Sequence, residues 1–254
     1  MVEAMTIRIS NLSKSYGEIR VLDDITFTVA DGECFCLLGR NGAGKTTLIN
    51  IMCDMIPADS GTVMYDKLTF ETDESVIKQK LGVLPENDPT IAELTGHQYL
   101  EFIARLHKIS HSEFKNRKSH LLDLLFDDTN AFDRRIATYS RGMRQKLALA
   151  AALIHNPAYL LLDEPFANLD PVVAARLVSL IRDLRAQGTA LLVSSHSLNY
   201  VEQIADRLGV LEKTKLCFMG TVAELTGGGT RKIESSLLKI LTTGEPLDAE
   251  RMTR

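Results

Sequence analysis

"CFCLLGRNGAGKTTLINIM", residues 34–52, decides the fold. An apolar run ends at Gly39, passes through a glycine-rich turn and emerges as a helical pattern. Within it "GRNGAGKT", Gly39 to Thr46, fits G-x-x-x-x-G-K-[ST] and sits where that motif works, after a strand and before a helix. Such a loop turns backbone N–H groups inward around phosphates, and the N-terminus of the next helix adds its positive end. The phosphate-binding set expected here is Gly39, Asn41, Gly42, Ala43, Gly44, Lys45, Thr46 and Thr47. Lys45 is expected to reach the β- and γ-phosphates, and the Thr46 hydroxyl to ligate Mg²⁺. The strand–loop–helix context weighs against the plainer reading, a glycine turn beside a surface lysine.

A second stretch, "LLDEPFANLDP" at 161–171, raises a question of cost. A hydrophobic run ends in two adjacent carboxylates, Asp163 and Glu164, and then a proline. Burying a carboxylate is expensive unless it is paired or bound to a metal. In P-loop proteins an apolar strand ending in Asp lies beside the cradle and holds Mg²⁺, often through water. Asp163 fits that role. Glu164, one residue on, is placed to polarise an attacking water as general base. The alternative, two surface acids at a strand end, is weakened by the five uncharged residues before them.

Composition sets the bounds. A chain of 254 residues, 45% hydrophobic and 24% charged, is ordinary for a soluble globular protein and long enough for one large domain or a core domain with a lobe inserted. A net charge of −4 and a pI of about 5.9 give no electrostatic footprint for nucleic acid, so no nucleic-acid partner is expected. No run approaches the roughly 18 apolar residues of a membrane span, and "MVEAMTIRIS" lacks a signal-peptide pattern. A cytoplasmic location follows as the expectation. Of the four cysteines, Cys34, Cys36, Cys53 and Cys217, the first two form a C-x-C inside an apolar run. With no second pair nearby, core packing is the better reading than a metal site.

Strand-like segments are "TIRISNLSKSYG", "VLDDITFTVADGECFCLLG", "GTVMYD", "LGVLPE", "AYLLLDEP" and "TALLVSSH". Between about 91 and 155 the pattern turns helical, in "TGHQYLEFIARLHKI", "HSEFKNRKSHLLDLLF" and "GMRQKLALAAALI". "PVVAARLVSLIRDLRAQ" adds a helix between two strands whose continuous apolar runs suit a parallel sheet buried on both faces. The tail after about residue 226, opening on "TGGGT", is weakly patterned and is expected to be either mobile or a short extension.

Taken together, these residues resemble the ATP-binding subunit of ABC transporters over about residues 5 to 225. Beyond the cradle and "LLLDEP", the resemblance rests on ordered motifs. Tyr16 in "KSYG" matches the aromatic that stacks on adenine. Glu86 in "GVLPE" falls at the Q-loop. "YSRGM", residues 139–143, falls at the signature motif through Ser140 and Gly142. "NLD", residues 168–170, matches the D-loop through Asp170, and His196 in "VSSHS" matches the switch histidine. Two departures stand out: Tyr139, Arg141 and Met143 replace the commoner Leu, Gly and Gln, and Glu86 replaces glutamine.

The resemblance implies an α/β P-loop NTPase (RecA-like) core with a parallel sheet, an antiparallel β subdomain and a helical subdomain inserted at about 91–155. Residues 226–254 follow as the C-terminal extension. It implies ATP and Mg²⁺, with Thr46, Glu86 and Asp163 toward the metal, Glu164 and His196 in catalysis, and Tyr16, Ser140, Gly142 and Asp170 toward nucleotide. It also implies a head-to-tail pair of cassettes, with a homodimer expected and a heteromeric pair left open, sitting on the cytoplasmic face of the membrane beside a separate polytopic transmembrane subunit. Export is the expected direction. The competing reading is a soluble single-cassette ABC ATPase with a non-membrane partner; a P-loop kinase or GTPase fits less well, since "NLDP" is no N-K-x-D motif.

Overall fold

Alternating burial builds the first sheet of the computed structural model, which describes residues 6–127, 132–229 and 232–243, with side chains to residue 240. In β1 (Ile7–Tyr16), Ile7, Ile9 and Leu12 are buried and their neighbours face outward. β1 pairs antiparallel with β2 (Ile19–Val29) and with β4 (Ser60–Tyr65), giving the order β2-β1-β4. This is the expected antiparallel β subdomain.

The second sheet has the order β5-β6-β7-β3-β8-β9. Its strands are β3 (Cys34–Gly39), β5 (Leu81–Leu84), β6 (Tyr159–Asp163), β7 (Ala190–Ser195), β8 (Arg207–Glu212) and β9 (Lys215–Gly220). All pairings are parallel except β8 with β9. Every residue of β3, β6 and β7 is buried, as strands covered on both faces require. Successive side chains of β3 enter different cores: Cys34, Cys36 and Leu38 pack with the helical side, Phe35 and Leu37 with the antiparallel sheet and α1 (Lys45–Met52). The C-x-C pair is core, as its alternation suggests.

Between β5 and β6 lie α3 (Gly96–Leu106), α4 (His111–Leu125), a 3-10 turn at Ile136–Thr138 and α5 (Arg141–Leu153). These are the helices expected from the pattern of 91–155. Thr95 with Gln98, and Ser110 with Glu113, form capping boxes that fix where α3 and α4 begin. α6 (Pro171–Ala186) starts on the Asp170 cap with proline in its first turn. The structure adds α2 (Phe70–Lys80), α7 (Leu198–Ile204) and α8 (Val222–Thr226), none of which the sequence pattern announced.

The tail differs from expectation. It is not merely a weakly patterned extension: α9 (Ile233–Thr243) packs against α8, and Ile233 and Ile240, seven residues apart on one helical face, join the main core. Residue 5 of the expected cassette, residues 128–131 of the expected lobe and residues 230–231 and 244–254 of the expected extension lie outside the described residues.

Candidate active site

The carboxyl ends of β3, β6 and β7 open into one cleft of about 620 Å³, the position where open α/β sheets bind ligands. Lining it are Asn41, Gly42, Gly44, Lys45, Thr46, Thr47, Glu86, Asp163, Glu164 and His196. Ten of the sequence-predicted site residues therefore converge.

The loop between β3 and α1 needs its glycines for two separate reasons. Gly44 has φ of 108°, and a Cβ there would stand 3.0 Å from both the Val21 carbonyl and Leu22 Cδ2. Gly39 has no such φ, but a Cβ on it would lie 2.5 Å from the Leu211 carbonyl. The turn places Lys45 under the loop, only 6% exposed, where Nζ donates to the carbonyls of Gly39 at 2.8 Å and Arg40 at 3.2 Å. The same ammonium is 3.9 Å from Glu164 Oε1.

Asp163, the last residue of β6, is 2% exposed. Its Oδ1 accepts a hydrogen bond from Ser194 Oγ, while Oδ2 has no hydrogen-bond partner. Burial pushes its carboxyl above the ordinary carboxylate range; Ser194 and Thr46 oppose the shift, and the Glu86 and Glu164 charges add to it. Thr46 Oγ1 donates to Glu86 Oε2 at 2.8 Å.

Glu164 turns the chain sharply, with φ of 49° in the left-handed region. Its N–H donates to Ser194 Oγ at 2.9 Å, and its Oε2 faces His196 Nδ1 at 2.9 Å. That contact has Nδ1 carry the proton and leaves Nε2 as the imidazole's other polar atom. The His196 backbone N–H also points at Oε2, at 3.4 Å. Lys45, Glu164 and His196 thus form a chain of cation, carboxylate and imidazole. Phe166 stacks on Tyr200 with ring centroids 4.2 Å apart, which ties the segment after Glu164 to α7, just beyond His196.

Six predicted residues do not line this cleft. Gly39, the last residue of β3, accepts from Lys45 through its carbonyl, and Ala43, within the loop, packs against the core. Tyr16, 51% exposed, stands at the end of β1 with Lys14 Nζ 5.6 Å from its ring centre. Ser140 caps α5 by accepting from the Met143 N–H at 3.2 Å. Gly142 lies in the first turn of α5, where a Cβ would be 2.7 Å from the Asn168 carbonyl. Asp170 caps α6 through Val173 N–H and pairs with Lys146 at 3.0 Å.

Sequence reasoning missed Ser194, whose hydroxyl joins both acids, and the lining residues Gln145 and Val21; Asn168, in the "NLD" stretch, also lines the cleft. The signal for Ser194 is register, since β7 sets it directly across from Asp163.

The sequence profile of the ABC transporter family matches residues 22–167. The linearmycin resistance ATP-binding protein LnrL of Bacillus subtilis (strain 168) is 31% identical over 227 residues, 88% of this chain and 73% of that protein. The Nod factor export ATP-binding protein I of Sinorhizobium fredii (strain NBRC 101917 / NGR234) is 32% identical over 243 residues, 91% and 71% of the two chains. The bacitracin transport ATP-binding protein BcrA of Enterococcus faecalis is 33% identical over 226 residues, 89% and 72%. A solved ATP-binding subunit of an ABC transporter superposes with a TM-score of 0.84 at 26% identity, covering 92% of this chain and 98% of that one. With its P-loop cleft on the page beside these relatives, the chain belongs to the ABC transporter family, as one of its ATP-binding, ATP-hydrolysing subunits.

Proposed function

We propose that this subunit powers export of a small molecule through a separate transmembrane subunit, working from the cytoplasmic face of the membrane as a homodimer of cassettes. The names of the relatives, which concern linearmycin, bacitracin and Nod factor, support export. Among the described residues no helix is long and apolar enough to cross a membrane, which fits a role beside a membrane subunit. The cassette is taken as residues 5–225 with the lobe 91–155 as the part facing that subunit, and 226–254 as the extension.

The observation that carries the catalytic reading is Glu164 held between Lys45 and His196 at the mouth of a phosphate loop. Glu164 takes the proton of the attacking water through a carboxylate oxygen, and His196 Nδ1–H keeps that carboxylate in place. Lys45 and the loop N–H groups hold the β- and γ-phosphates. Tyr16 stacks on the adenine; Ser140, Gly142 and Asp170 serve the nucleotide of the paired cassette. The unpartnered Asp163 Oδ2, the Thr46 hydroxyl and the Glu86 carboxylate are all-oxygen donors, which suits Mg²⁺. Bound there, Mg²⁺ supplies positive charge against the triphosphate.

The test is to tag Glu164→Gln, solubilise host membranes in mild detergent with ATP present, and identify what co-purifies. A stoichiometric polytopic membrane protein supports the transporter reading. A soluble partner, with the protein wholly in the cytosol, rejects it.

A further inference from the structure

Around Thr46 the oxygens outnumber the protons. The hydroxyl donates its single proton to Glu86 Oε2 at 2.8 Å, although the same hydroxyl also neighbours Asp163. Asp163, 2% exposed, is left with Oδ2 unsatisfied. A glutamine at 86 would bring two N–H donors to this corner, whereas a carboxylate brings none. The ammonium of Lys45 does not compensate, because it is turned to the carbonyls of Gly39 and Arg40 and toward Glu164.

We propose that Glu86 makes this corner a divalent-cation site that fills before the nucleotide arrives, with oxygens from Thr46, Asp163 and Glu86. Among the described residues no three His, Cys, Asp or Glu side chains converge to hold a metal. The protein set is therefore two carboxylates and a hydroxyl, and water completes it, as is usual for Mg²⁺. Glu86 is exposed at the cleft, so the cation enters from solvent without displacing a protein group. Once seated, it offsets two of the three carboxylate charges that Glu86, Asp163 and Glu164 would otherwise turn toward an incoming triphosphate. The metal-first order is thus a property of Glu86 and rests on the reading above that the cleft takes a Mg²⁺-nucleotide.

The experiment uses Mn²⁺ as a paramagnetic stand-in for Mg²⁺, titrated into nucleotide-free wild-type, Glu86→Gln and Asp163→Asn chains. Free Mn²⁺ is read by electron paramagnetic resonance, and a fluorescent ATP analogue is titrated into separate portions of the same preparations with excess Mg²⁺ present. The expected result is uptake of Mn²⁺ by the wild type below about 1 mM, reversed by excess Mg²⁺. Glu86→Gln should weaken it at least about tenfold, since one charge beside a dication is removed, and Asp163→Asn should weaken it too. No uptake by the wild type overturns the proposal, as does equal affinity in Glu86→Gln. If the analogue still binds in those cases, only the metal-first inference fails; if neither probe binds, the nucleotide reading fails as well.

Discussion

Ser194 shows how much of a site one unremarked hydroxyl can carry. It donates to Asp163 Oδ1 and accepts from the Glu164 N–H, so both acids of the "DE" pair depend on it. Ser194→Ala would leave a buried N–H and a more weakly held carboxylate, at a cost of about 1–3 kcal/mol. Thermal unfolding of that variant should show a midpoint lower by several degrees, and an unchanged midpoint would mean that water replaces the hydroxyl. Lys45→Ala removes a buried ammonium and should weaken nucleotide binding itself, to be read by equilibrium titration with a fluorescent ATP analogue. The acids and the lysine were legible in the sequence because their types and spacing are chemically constrained. Ser194 was not, because a serine in an apolar strand carries no pattern; only the β6–β7 register gives it a partner. Glu86 was legible as a departure, but its bond to Thr46 depends on two segments 40 residues apart meeting at the cleft.

The strands that carry the site announced themselves, and some helices around it did not. β3, β6 and β7 are continuous apolar runs because both faces are covered, so their boundaries could be read directly. α2, "FETDESVIKQK", buries only Ile77 and bends at Asp73, so it lacks the periodicity that marks α3. α9 follows glycines and reads as a tail until its Ile233 and Ile240 find the core. A pH-dependent joint sits where two helices end and β5 begins. His155, just beyond α5, stacks on His107 at the C-terminus of α3 with centroids 3.7 Å apart, and its Nε2 lies 3.1 Å from the Leu81 carbonyl of β5. Burial, with the His107 charge next, pushes the His155 imidazole down to about 3. Unfolded, it would titrate near its ordinary 6.5. Between those values the unfolded chain binds the extra proton, so stability falls as pH drops from about 6.5 toward 3. His155→Phe should flatten denaturant-measured stability over that window by at most about 1.4 kcal/mol per pH unit. Parallel pH profiles for the two proteins would show that the joint does not titrate.

At the scale of the whole molecule, the cleft and the start of α5 are separate features of one chain. Its cleft is built from the phosphate loop, Glu86, the two acids and His196, while Ser140 and Gly142 sit at the start of α5 outside it. On the proposed pairing of cassettes, a second copy of that helix start would come to the cleft. The Glu164→Gln chain should therefore double from 28.2 kDa in light scattering when ATP is added, and return when ATP is removed. The architecture that allows this was largely readable in advance, including the parallel core, the antiparallel β subdomain and the helical stretch before β6. The short tail elements were not, because their signal lies in tertiary packing. Everything in the functional account passes through Glu164, so the deciding measurement is steady-state phosphate release by Glu164→Gln beside the wild type, with nucleotide affinity measured in the same preparation. The account predicts a fall of about a hundredfold or more with affinity retained. A variant that releases phosphate at the wild-type rate would contradict it.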